Sequence, residues 1–127
     1  MTTIGRKEAR KLWVEALRSG EYRQAKGALG MNDGGVKAYC CLGVACEVYL
    51  DCGGVLKVST EDGNVLYNRH DAVLPEEVQC WLGLAFADGT YERIRTLADD
   101  NDNDVSFDKI ADLIESEPSG LFEEEPA

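Results

Sequence analysis

No run of apolar residues in this 127-residue chain approaches the roughly 18 needed to cross a bilayer. The opening stretch MTTIGRKEARKLW places no apolar segment behind its basic residues, so a secretory signal is not expected. Histidine occurs once, at His70, and there is no Cys-x-x-Cys pair, so a zinc site lacks both partners and spacing. Five cysteines (Cys40, Cys41, Cys46, Cys52, Cys80) are an odd number. In a chain without an export signal they read as buried free thiols rather than a disulfide framework. The phosphate-binding glycine loops and the serine nucleophile elbow are missing. Positive charge is scarce as well: 13 Lys plus Arg face 24 Asp plus Glu, a net charge of −11. That balance argues against general binding to nucleic acid or to an acidic membrane.

The charge that is present is unevenly placed. From Asp99 onward there are 11 acids and one base, Lys109, whereas residues 1–98 hold 13 acids and 12 bases. Residues 1–26 carry seven bases and three acids. A basic front end therefore precedes a nearly neutral body and a strongly acidic back end, a pattern of interaction surfaces or acidic tails.

Hydrophobic periodicity supplies the elements. Ala9, Leu12, Trp13, Ala16 and Leu17 recur at helical spacing, which predicts a helix over 6–19 with Gly20 as its stop. Its other face carries Arg6, Lys7, Arg10, Lys11 and Arg18, read as a solvated stripe rather than a nucleic-acid contact. Glu21–Leu29 is mixed, and MNDGGVK (31–37) reads as a turn or loop. Residues 41–50 are apolar nearly all round and predict a short buried helix. Asp62-Gly63 between VLKVS and NVLYN predicts a hairpin, with Leu56 and Val58 sharing one face. Pro75, Glu76 and Glu77 open a helix continued by Val78, Trp81, Leu82 and Ala85. Tyr91–Leu97 reads as a strand, the acidic run from Asp99 to Asp104 as a loop, and 107–115 as a last helix capped by Ser106 or Asp104. The expected fold is a small α+β domain over 1–117, with about four helices and a β-hairpin or small antiparallel sheet. Residues 118–127 are expected to form an acidic, mobile tail.

Three constellations carry chemistry. DDNDNDVSFDKIA places acids at EF-hand positions, yet Val105 stands where the turn glycine belongs and Ala111 where the bidentate glutamate belongs. No metal or other cofactor is expected; Asp100, Asp102 and Asp104 are the remaining cation alternative. Cys41, at the start of a helix that would lower its pKa, is a candidate nucleophile. His70 would be its base, Asn101 or Asp102 would orient the imidazole, and Gln24 would donate to an oxyanion. The order Gln–Cys–His–Asn resembles papain-like and cell-wall peptidase folds, in order alone. Third, Gln24, Tyr39, Cys41, Asn101 and Asp102 would line a small polar pocket if they converge. If they do not, they are caps, turns and hydrogen-bonded core groups, the reading favoured here.

Several segments, in order, resemble a family of small uncharacterised tailed-bacteriophage proteins. They are WVEALRSGEYRQAKGAL (13–29), YCCLGVACEVY (39–49), LPEEVQCWLGL (74–84) and Asn101-Asp102 followed by SFDKIADLIE (106–115). A looser resemblance, to an actinobacterial domain of unknown function, rests on Gln24, Gly27, Ala28, Leu29, Cys41, Gly43 and Asn101-Asp102. Neither brings an activity, and neither includes His70. The phage resemblance implies an accessory protein in the cytoplasm of a bacterial host.

The function expected is non-enzymatic binding to a host protein or complex, inhibiting a defence or nucleic-acid-handling system. The acidic surface expected to do this comprises Asp99, Asp100, Asp102, Asp104, Glu123, Glu124 and Glu125, since acids compete for basic grooves and speed association. One alternative is a sponge for a small nucleotide signal, read by Gln24, Tyr39, Asn101 and the N-terminal arginines. The other is the Cys41/His70 hydrolase. A membrane partner and direct nucleic-acid binding are not expected.

Overall fold

The computed structural model describes residues 5–123. Helix α1 (Arg6–Arg18) is followed by two short strands, β1 (Gly30–Asp33) and β2 (Val36–Tyr39), and by helix α2 (Cys41–Asp51). A second hairpin, β3 (Val58–Glu61) and β4 (Asn64–Tyr67), precedes helix α3 (Glu76–Leu82). The two-residue strands β5 (Thr90–Tyr91) and β6 (Arg95–Thr96) lead into helices α4 (Leu97–Asp102) and α5 (Phe107–Ser116). The result is an α+β domain with one four-stranded antiparallel sheet in the order β2-β1-β4-β3 and a separate β5-β6 ribbon. Among the described residues no helix is long and apolar enough to cross a membrane.

Helix α2 lies at the centre, in contact with α1, α3, α4 and β2. Cys41, Leu42, Val44, Ala45 and Cys46 are fully buried there, as the all-round apolar pattern requires. Gly43 is what lets the helix sit so deep. A Cβ at this position would come 1.8 Å from the Leu29 carbonyl oxygen. That same carbonyl accepts from the Cys40 N–H at 3.1 Å, so strand entry and helix entry are locked together.

Several expectations need correction. MNDGGVK is a hairpin, not a loop: Gly34 and Gly35 take φ of +58° and +91°, the two positive values that a tight two-residue turn demands. The Asp62-Gly63 hairpin forms as read, but Val58 is about half exposed while Leu56, which precedes the strand, is buried. Helix α3 stops at Leu82, because Gly83 turns left-handed at φ +75°, and Ala85 falls outside it. The expected strand over Tyr91–Leu97 is a tight ribbon reversing at 92–94. The expected acidic loop is largely helix α4, which forms because the Thr96 hydroxyl accepts from the Asp99 N–H at 2.9 Å and Asp99 and Asp100 complement the helix dipole. Ser106, not Asp104, caps α5. The described helices therefore number five.

Residues 118–123, expected as the start of a mobile tail, run back along the domain. Leu121 is fully buried, Ala85 donates to its carbonyl at 3.0 Å, and Glu123 donates to Gly83 at 2.8 Å. Glu124 and Glu125 lie outside the described residues.

Gly43→Ala is expected to destabilise the protein by about 3 kcal/mol, since the backbone cannot yield at that contact. Urea unfolding of the two proteins measures it.

Candidate functional site

The sequence-selected polar residues converge in part, and hydrogen bonds hold them together. Asn101 on α4 is the only fully buried polar residue among those described. Its Oδ1 accepts from Gln24 Nε2 at 2.9 Å and from the Cys41 N–H at 3.2 Å, and its Nδ2 donates to the Ala25 carbonyl at 2.6 Å. Gln24 Nε2 also donates to the Val105 carbonyl at 2.8 Å. Residues 23–25 in turn bracket Tyr39, which donates to Arg23 at 2.8 Å and accepts from Ala25 at 2.7 Å through the backbone. Gln24, Tyr39, Cys41 and Asn101 thus meet as a hydrogen-bonded group at the edge of the core.

Cys41 does not have the setting of a nucleophile. It is fully buried, its thiol lies 3.6 Å from the Leu97 carbonyl, and burial pushes its pKa well above the ordinary value. Desolvation exceeds any help from the helix N-terminus. His70 sits on an exposed turn, bonded through its backbone to Tyr67. The Gln–Cys–His–Asn order is therefore not assembled into a catalytic set. The cation alternative is not assembled either. Asp100 accepts from the Tyr91 hydroxyl, Asp102 accepts from the Gly27 N–H at 2.9 Å, and Asp104 pairs with Lys26. Among the described residues no three His, Cys, Asp or Glu side chains gather as metal ligands would.

The expected acidic surface divides in two. Glu123 stands on the α1 side, 3.4 Å from Arg6. There the basic stripe of α1 is engaged rather than merely solvated. Arg6 and Arg10 donate to the Cys80 and Leu82 carbonyls at the end of α3, at 3.1 and 2.7 Å. Arg10 also lies over the Phe122 ring at 3.8 Å, and Arg18 meets Asp112 and Glu115 at 2.5 and 2.6 Å. Arg10 and Arg18, with Lys7, Lys11, Glu115 and Glu117, line a groove of about 500 Å³ between α1 and α5. Its opposite charges face one another.

The other half is open. Asp99 and Asp102, on exposed positions of α4, share a depression of about 260 Å³ with Asp88 and Thr96, above a floor that includes Cys40. Asp88 is held in place by the Thr90 N–H and hydroxyl, at 3.1 and 2.5 Å. Sequence reading missed Asp88, since Ala87-Asp88-Gly89 presents only as a chain break. Cys40 caps α2 through its sulfur, 3.4 Å from the Gly43 N–H. Burial, with a smaller push from Asp102, raises its thiol pKa to about 11.

Two measurements follow. Asn101→Ala leaves the Cys41 N–H, Gln24 and the Ala25 carbonyl without their partner, and is expected to cost about 3 kcal/mol in urea unfolding. The buried thiols stay protonated in the folded state where the unfolded chain ionises near 9.0. Their folded pKa values are raised, so their contribution is whole below pH 9 and falls as pH climbs above it, that of Cys40 being lost through about 11. Melting temperature is expected to fall across that window.

No curated protein and no solved structure matches the chain. One family model, described as the domain of unknown function DUF8296, covers residues 6–118, from the start of α1 to just past α5. The chain belongs to that family.

Proposed function

We propose that this protein acts by binding, and that its α4 depression receives a basic segment of a partner protein. One observation carries the reading: Asp88, Asp99 and Asp102 converge on an open concavity, while Cys41 and Asn101 are closed into the core and His70 stands apart on an exposed turn. Three carboxylates around one hollow create a local negative field of the kind that steers and orients a cationic partner. Asp100 and Asp104 flank it, their charges directed to Tyr91 and Lys26. The resemblance to small tailed-phage proteins supports a place in the cytoplasm of an infected bacterium. There the partner is a defence or nucleic-acid-handling complex, which presents that basic segment. Glu123 pairs with Arg6 of α1 and is not part of this surface. Nothing in the geometry favours the nucleotide sponge, since Gln24 and Asn101 bond each other and the backbone.

The test is affinity capture from bacterial lysate, followed by titration of the captured partner with Asp99→Asn/Asp102→Asn. Both changes remove charge and keep an oxygen acceptor, so the fold is retained. Affinity is expected to drop by about tenfold or more and to lose much of its salt dependence. Unchanged affinity and salt dependence would refute the proposal.

A further inference from the structure

The two outer edges of the main sheet are treated differently. On β2 the end of the edge is covered, because residues 23–25 pair with Tyr39 as a parallel bridge. On β3, among the described residues, no further strand pairs with the edge, and all four residues of the strand are exposed. Such an edge is a template for another strand. We propose that β3 pairs with β3 of a second copy, antiparallel about a two-fold axis at Ser59, to give one continuous eight-stranded sheet.

The register follows from the ladder. Asn68 donates to the Lys57 carbonyl at 2.7 Å, and β3 pairs with β4 as Val58 with Tyr67, Ser59 with Leu66, Thr60 with Val65 and Glu61 with Asn64. In an antiparallel pair, bonded and non-bonded positions alternate. Lys57, Ser59 and Glu61 therefore turn their backbone groups toward β4, and Val58 and Thr60 turn theirs outward. The outward N–H and C=O groups of Val58 and Thr60 have no protein partner among the described residues. A two-fold at Ser59 sets Val58 of each copy opposite Thr60 of the other, so the outward groups meet in bonded pairs.

The same axis sets Lys57 of each copy opposite Glu61 of the other, on one face of the joined sheet. Within one chain these side chains are four strand positions apart, about 13 Å, and do not neutralise each other. A lone charge on an edge strand repels pairing. A Lys and a Glu placed equally on either side of a centre instead select an identical strand running the opposite way. Val58, 49% exposed, gains a β-branched neighbour in Thr60 of the other copy.

A contact of four short strand residues belongs with weak interfaces, so association is read by sedimentation equilibrium up to about 500 µM. The expected result is a concentration-dependent rise from the 13.9 kDa chain mass toward twice that value. Lys57→Glu or Glu61→Lys alone places like charges opposite each other twice. Each is expected to weaken dimerisation by about tenfold or more. An equimolar mixture of the two single variants, and the double variant K57E/E61K, restore opposite charges and are expected to recover it. Thr60→Pro removes an outward N–H while leaving the β4 ladder intact, and is expected to be monomeric with an unchanged far-ultraviolet spectrum. A wild-type chain that remains monomeric throughout overturns the proposal. So do single charge variants that dimerise as wild type does, since the contact would then lie elsewhere.

Discussion

A buried amide needs a partner for each polar atom it takes out of water, and Asn101 obtains its partners from two separated parts of the chain, Gln24-Ala25 and Cys41. It fixes the first turn of α2, the segment entering from α1, and the position of α4 itself. The rest of the structure is arranged around that fixture. Trp13 on α1 donates to the Cys41 carbonyl at 2.9 Å, so the first helix is tied to the same turn of α2 that Asn101 holds. Gly43 lets the turn approach Leu29, which begins the path into the sheet. An amide at this point specifies geometry in a way that an apolar side chain of the same volume would not, because its bonds have direction.

Electrostatics is layered over this frame. The net charge of −11 describes no real surface, because the acids of the last third are divided between two environments. Those on α5 and at Glu117 and Glu123 face the cations of α1 across a groove. Exposed pairs of this kind contribute little stability each. They set opposite charges side by side along α1 and α5. On the α4 side, by contrast, Asp99 and Asp102 join Asp88 around one depression, a local and concave concentration of charge of one sign.

Helix α4 links the two levels. Leu97 and Asn101 point into the core, while Asp99 and Asp102 point out. One short helix therefore carries both the polar fixture and the acids of the proposed binding surface. Its formation rests on Thr96 as a cap and on acids in its first turn.

How much of this was legible depended on whether the signal was local. Helical periodicity in 6–18 and 107–116, the all-round apolar run of α2, and Asp62-Gly63 each state their structure within a few residues, and the structure follows them. The short pieces were misread where local cues were ambiguous. Gly34-Gly35 serves a loop or a hairpin equally, and only the pairing of β1 with β4 makes it a hairpin. The acidic run reads as solvated loop until Leu97 and Asn101 are anchored in the core. Sequence also picked out Gln24, Tyr39, Cys41 and Asn101 as one group, but not whether the group is a pocket or a bonded core. That depends on distances between residues up to 77 positions apart, which composition does not encode. By itself the sequence determined the longer helices, the Asp62-Gly63 hairpin and the polarity of charge along the chain. Tertiary packing alone decided which charges cancel and which stay open, because attraction and desolvation depend on separation in space rather than along the chain.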